Sequence, residues 1–114
     1  MGQLTTHVLD LNRGRPAAGL TIELWRLDGD TRIRVGTAQT NADGRTDAPM
    51  LEGADYTGGV YELIFRVGDY FAIAPAGGRF LDAVPVRFTI SDPAANIHVP
   101  LLTTPWAYST YRGS

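Results

Sequence analysis

Apolar side chains occupy every second position of Val84-Pro85-Val86-Arg87-Phe88-Thr89-Ile90. In an extended chain this alternation puts Val84, Val86, Phe88 and Ile90 on one face and Arg87 and Thr89 on the other, the pattern of a half-buried strand. Extended runs of similar character cover residues 4–11, 20–27, 32–40, 60–67, 97–103 and 107–111, with turn residues between them. Thirteen glycines and seven prolines are spread along the 114 residues, so they read as frequent turns and not as a linker. Seven short strands separated by turns predict an all-β sandwich, and the length predicts one domain, residues 1–114, around one core.

Two local segments add detail. Asn41-Ala42-Asp43-Gly44 reads as a tight turn in which Asp43 bonds its own backbone and Gly44 takes the left-handed position, holding Arg45 just past it. Residues 70–74, after Gly68 and Asp69 and before Pro75, read as one short helix capped by Asp69. Pro93 and Pro105 bracket the strand at 97–103, so the chain reverses on either side of it. There is no internal repeat.

Composition removes several classes of chemistry. With no cysteine, a disulfide framework, a thiolate metal site and a cysteine nucleophile are all excluded. All ten basic residues are arginine, so no lysine of this chain serves as a Schiff-base or general-base group. A net charge of -2 argues against nucleic acid as a partner. No apolar stretch reaches the length of a membrane span, and the first dozen residues lack the layout of a secretory signal, so the expectation is a soluble, cytoplasmic protein.

The two histidines, His7 and His98, each fall in a predicted strand. His98 faces away from Ile97, Val99 and Leu101, on the side of Pro100 and Leu102, and His7 shares its face with Thr5 and Leu9. Neither suits a core position, because a buried imidazole needs partners for both ring nitrogens. On pattern alone both read as surface or hydrogen-bonded histidines, and Arg45 reads either as an exposed charge or as a two-pronged clamp for an anion or carbonyl. Two histidines on separate strands have no zinc-site spacing, so no metal is predicted. Trp25 and Trp106 read as core or interface filling. The terminus, Tyr108-Ser109-Thr110-Tyr111-Arg112-Gly113-Ser114, taken alone, reads as an edge strand fraying into solvent.

Three segments read together carry more. Leu4-Thr5-Thr6-His7-Val8-Leu9-Asp10, Thr40-Asn41-Ala42-Asp43-Gly44-Arg45 and the terminus ending Tyr111-Arg112-Gly113-Ser114 resemble the 5-hydroxyisourate hydrolases, transthyretin-related enzymes of urate breakdown. The likeness runs over nearly the whole chain, including His98-Val99-Pro100-Leu101-Leu102 and the region from Phe71 to Phe80. It implies a transthyretin-like β-sandwich of two four-stranded sheets with one short helix, assembled as a homotetramer with active sites between dimers. It also implies catalytic roles for His7, Arg45, His98 and Ser114, and substrate contacts from His7, Arg45 and Tyr111. Where many members carry a further histidine two residues before the second catalytic one, this chain has Asn96.

The implied reaction opens an oxidised purine ring by water attack on a ring carbonyl, with proton return to the departing nitrogen. Imidazoles near neutral pKa perform both transfers, so no cofactor is called for. Arg45 suits the planar amide edge and the charge developing on oxygen. Gly113 would let the terminal residue turn inward. The competing readings are a transthyretin-like carrier of small molecules that catalyses nothing, and an immunoglobulin-like adhesion module. The polar set of His7, Arg45, His98 and the terminus favours the enzyme.

Overall fold

The computed structural model describes residues 2–72 and 80–113. Strands β1 (Gln3–Asp10), β2 (Arg15–Pro16), β3 (Thr21–Asp28), β4 (Thr31–Gln39), β5 (Leu51–Glu52), β6 (Gly59–Phe65), β7 (Val84–Ile90), β8 (Ile97–Thr103) and β9 (Tyr108–Thr110) form two sheets. One has the order β2-β1-β8-β9 with β5 also on β1, and the other runs β4-β3-β6-β7. The expected sandwich is present. The five strands of the first sheet occupy four strand positions, because β5 pairs Gln3 and Leu4 while β2 pairs Leu9 and Asp10, so the two lie end to end along the one edge of β1 that β8 leaves free.

The period of two decides which side chains meet between the sheets. In β1, Leu4, Thr6, Val8 and Asp10 are buried while Thr5, His7 and Leu9 stay half-exposed. In β8, Ile97, Val99 and Leu101 point inward against Leu63, Phe65 and Val84 of the second sheet's inner face. Each fully buried aliphatic or aromatic side chain contributes about 1.5–3 kcal/mol of transfer free energy. That burial fixes the register, since a slip by one residue would exchange this face for the polar one.

The helix α1 spans Val67–Ala72, so it starts ahead of the expected position and Asp69 lies in its first turn instead of capping it. Val67 and Phe71, four residues apart, are buried on one helical face, and this anchoring draws the start back to Val67. Ile73 and Ala74, also expected in the helix, lie outside the described residues. Tyr70 ties α1 to β1 by donating a 2.8 Å hydrogen bond to the fully buried Asp10. Burial and that carboxylate push the Tyr70 phenol up to about 12. Backbone N–H groups of Asn12 and Arg13 also donate to Asp10, so this buried charge is spent on structure.

Neither tryptophan is in the core. Trp25 stands half-exposed on the outer face of the second sheet, donating to Glu23 at 3.0 Å beneath the Arg32 guanidinium, and Trp106 is exposed and stacked on Phe80. Among the described residues no helix is long and apolar enough to cross a membrane.

Candidate active site

Parallel pairing of β1 and β8 sets Thr5 opposite His98 and His7 opposite Pro100. Paired residues share a face, so both histidines project from the outer face of the first sheet, diagonally across two neighbouring strands. Two isolated bridges extend the patch sideways: Arg45 pairs with His7 and Gly113 pairs with His98. Four separate segments thus meet on one half-exposed surface.

Arg45 owes its position to the turn before it. Asn41 Oδ1 accepts from the backbone N–H of Asp43 at 2.9 Å and of Arg45 at 3.2 Å, and the Asn41 N–H donates to the Arg45 carbonyl at 2.7 Å. The side chain that closes the turn is therefore Asn41 and not Asp43, because Asn41 stands at the first position, from which an amide oxygen reaches the N–H two residues on. Gly44 has a φ of 76°, and a Cβ there would lie 2.4 Å from the Val8 carbonyl oxygen. With no side chain in the way, the Gly44 carbonyl accepts from the Val8 N–H at 2.8 Å, pinning the turn to β1. The Arg45 guanidinium is exposed and has no hydrogen bond or ion pair among the described residues, which leaves its donors free for a ligand.

The His98 ring is held on two sides. Thr5 Oγ1 and His98 Nδ1 are hydrogen-bonded at 2.8 Å. On the other side the Gly113 N–H donates to the His98 carbonyl at 2.7 Å, and a Cβ on Gly113 would stand 2.7 Å from the ring's Cδ2. Gly113 is needed for this close approach, and its φ is outside the left-handed region; the inward turn expected of the terminal residue concerns Ser114, outside the described residues. Pro100 lies between. It has no N–H to offer β9, and its carbonyl is taken by the Thr110 hydroxyl at 2.8 Å, so the ladder lapses after Thr110 and resumes only at Gly113. Burial, and then the nearby positive charge of Arg45 and the proximity of His7, hold the His98 imidazole below its ordinary value of 6.5. These effects favour the neutral form of the ring.

The structure brings together His7, Arg45 and His98. Tyr111 is exposed one residue beyond β9, where it borders a groove of about 250 Å³ between the sheets with Val86, Phe88 and Arg112, and no hydrogen bond joins it to either histidine. Ser114 lies outside the described residues. Asn96 accepts from the Gln3 N–H at 3.0 Å, so it braces the start of β1. Thr5 is the position beside His98 that residue patterns did not single out; parallel pairing across the sheet brings it there. Beside β1 lies a depression of about 220 Å³ lined by Thr5, Arg45, Thr46 and the following residues. A larger hollow of about 450 Å³, lined by Arg13, Arg15 and Tyr70, holds none of the three. Among the described residues no three potential metal ligands converge.

Two interlocked sheets with a histidine and arginine cluster on one outer face define a transthyretin-type sandwich carrying a polar site. Residues 4–113 match the model of the HIUase/Transthyretin family, and the chain belongs to that family. It is 57% identical over 113 residues to the 5-hydroxyisourate hydrolase of Deinococcus radiodurans, covering 97% of this chain and 95% of that one. The solved Klebsiella pneumoniae 5-hydroxyisourate hydrolase superposes with a TM-score of 0.84 at 35% identity, with both chains covered in full. Transthyretin from Sparus aurata, at 21% identity, shares the fold with a TM-score of 0.90 over 99% of this chain and 97% of its own.

Proposed function

We propose that this chain hydrolyses 5-hydroxyisourate to 2-oxo-4-hydroxy-4-carboxy-5-ureidoimidazoline, a step of urate breakdown. The observation that carries the reading is the convergence of His7, Arg45 and His98 on one outer face, in a chain 57% identical to a hydrolase of that name. Water bonds through oxygen to a ring carbonyl carbon and gives up a proton, the carbon–nitrogen bond breaks, the departing nitrogen takes a proton to become the end of the ureido group, and the carbonyl carbon stays on the remaining ring as its carboxylate. Two imidazoles supply the proton transfers, each worth about a hundredfold or more. The Arg45 fork meets the charge developing on the carbonyl oxygen. Water, two imidazoles and a guanidinium suffice for the step, without a metal or organic cofactor.

Tyr111 and Ser114 complete the site in this reading, Tyr111 against the substrate and Ser114 through its hydroxyl or the terminal carboxylate. His7, Arg45 and His98 stand on a half-exposed to exposed outer face, and the depression of about 220 Å³ beside β1 takes in Arg45 but neither histidine, which supports a cleft completed by a second copy. We therefore propose a homotetramer of single-domain chains, with sites between dimers, acting on its small-molecule substrate in the cytoplasm. The test is the ultraviolet absorbance of freshly generated 5-hydroxyisourate. Accelerated decay with the wild-type chain, reduced at least a hundredfold in His7→Asn and His98→Asn, is the expected result. Decay unchanged by the wild-type chain would turn the reading to a carrier.

A further inference from the structure

We infer that the Thr5 hydroxyl donates to His98 Nδ1 and holds this imidazole as its Nε2–H tautomer, so that His98 presents a donor, and His7 the acceptor, to the substrate. The assignment of catalytic roles rests on the proposed hydrolysis; the tautomer does not.

Geometry selects the pair. Thr5 and His98 are register partners in the parallel ladder of β1 and β8, and their side chains meet at 2.8 Å on the outer face. The Gly113 backbone closes the other side of the ring, so the imidazole cannot swing away from Thr5 without leaving its rotamer. Nδ1 is thus the nitrogen committed to the protein. Nε2 has no hydrogen-bond partner among the described residues.

Hydrogen-bond accounting then selects the direction. A neutral imidazole carries one N–H and one lone pair, and a hydroxyl carries one donor and two acceptor sites. If Nδ1–H donated to Thr5, the hydroxyl proton would have no acceptor among the described residues. In the reverse arrangement the hydroxyl proton and the Nδ1 lone pair are both used, and the donor left over is Nε2–H, on the ring nitrogen not engaged by the protein. One donor is left over either way, so acceptor strength decides: the imidazole lone pair is a far more basic acceptor than a hydroxyl oxygen, and the O–H···Nδ1 bond is the stronger of the two. The ring proton therefore resides on Nε2, the nitrogen directed away from the protein partner.

This gives the two histidines different starting states. His98 enters the cycle as a donor, suited to polarise the carbonyl oxygen or return a proton to the departing nitrogen. His7, whose ring no described residue hydrogen-bonds, stands beside Arg45 as the group free to take a proton from water. Thr5 touches neither water nor substrate in this scheme; it is a positioning residue acting through His98.

The test is nitrogen-detected NMR on protein labelled with ¹⁵N-histidine, at a pH where both rings are neutral, with His98 assigned by its loss in His98→Asn. The expected wild-type spectrum shows an unprotonated, hydrogen-bonded Nδ1 and a protonated Nε2 for His98. A His98 with its proton on Nδ1 overturns the inference outright. Thr5→Val removes the hydroxyl at nearly constant shape; it should mix the tautomers and lower kcat about tenfold, the loss of one hydrogen bond, with KM little changed. Thr5→Ser should restore both the tautomer and kcat. Unchanged tautomer and kcat in Thr5→Val, or a Thr5→Ser that resembles valine, would also refute it, and the wild-type spectrum decides even if the valine variant does not fold. Failure of the proposed hydrolysis appears separately, as wild-type protein that leaves 5-hydroxyisourate decay unchanged.

Discussion

Adding one methyl group at Gly113 should damage catalysis while sparing the fold. In Gly113→Ala the new Cβ would stand 2.7 Å from His98 Cδ2 and 3.3 Å from its Cβ and Cγ. Carbon atoms in contact prefer about 3.5–4.0 Å, so the ring must retreat by roughly 1 Å or the terminal segment must peel off β8. The backbone angles of Gly113 are open to alanine, which removes main-chain strain as a second cause. A displacement of about 1 Å at a reacting group costs on the order of a hundredfold in rate, equivalent to about 2.7 kcal/mol in the barrier. The melting temperature should move by only about 2 °C, because beyond Thr110 the chain is tied down by little more than one bridge. The assay is absorbance decay of 5-hydroxyisourate, with circular dichroism melts alongside. Wild-type kcat in a folded Gly113→Ala protein would refute the claim that the terminal backbone fixes the His98 ring.

Other perturbations probe the neighbouring parts. Gly44→Ala meets both a φ of 76° and a carbonyl oxygen 2.4 Å from the new Cβ, so it should cost about 1–3 kcal/mol by chemical denaturation as well as activity. Arg45→Lys keeps the charge but loses the planar fork, and kcat/KM should fall at least about tenfold in the absorbance assay with an unchanged melt. The folded-state pKa of His98 lies below its ordinary value of 6.5 through burial, Arg45 and His7, so the unfolded chain binds the extra proton first. Stability should therefore be lost as pH falls below 6.5 toward that folded pKa, and in NMR titrations Arg45→Gln should raise the His98 pKa. Deleting residues 111–114 should abolish turnover with the sandwich still folded; normal turnover would remove the terminus from the site.

Local periodicity carried the fold far. The strands Val84–Ile90 and Ile97–Thr103 follow from alternation to the residue, because one face of Ile97–Thr103 is buried along its whole length and that of Val84–Ile90 is buried at its ends and half-buried between, while Pro85, Arg87 and Thr89 are exposed. The strands β2 and β5 are two residues each, too short to show any period, and exist only because β1 offers them a free edge. The helix start was misread because the buried pair Val67 and Phe71 outweighed a capping preference at Asp69. At the site, His7, Arg45 and His98 stand out by residue type and family likeness. Thr5 does not, since its importance comes from a parallel pairing between residues 93 apart in the chain. Similarly, Asn41 and Gly113 act through turn geometry and close approach, which only the three-dimensional arrangement exposes.

The patchwork along β1 also bears on how these molecules meet one another. A continuous strand edge is a template on which another chain can add its own backbone, the first step toward runaway aggregation. Here three unconnected pieces occupy that edge: Leu51–Glu52 at one end, the Gly44 and Arg45 backbone in the middle, and Arg15–Pro16 with the Ala17 N–H at the other. An intruding strand would have to strip off all three, each rooted in a different part of the sandwich. Proline at one of these places offers no N–H to an incomer even where the cover loosens. The strand bearing His7 is thus shielded from recruitment by a foreign chain, while its side chains remain open to a small molecule on the outer face.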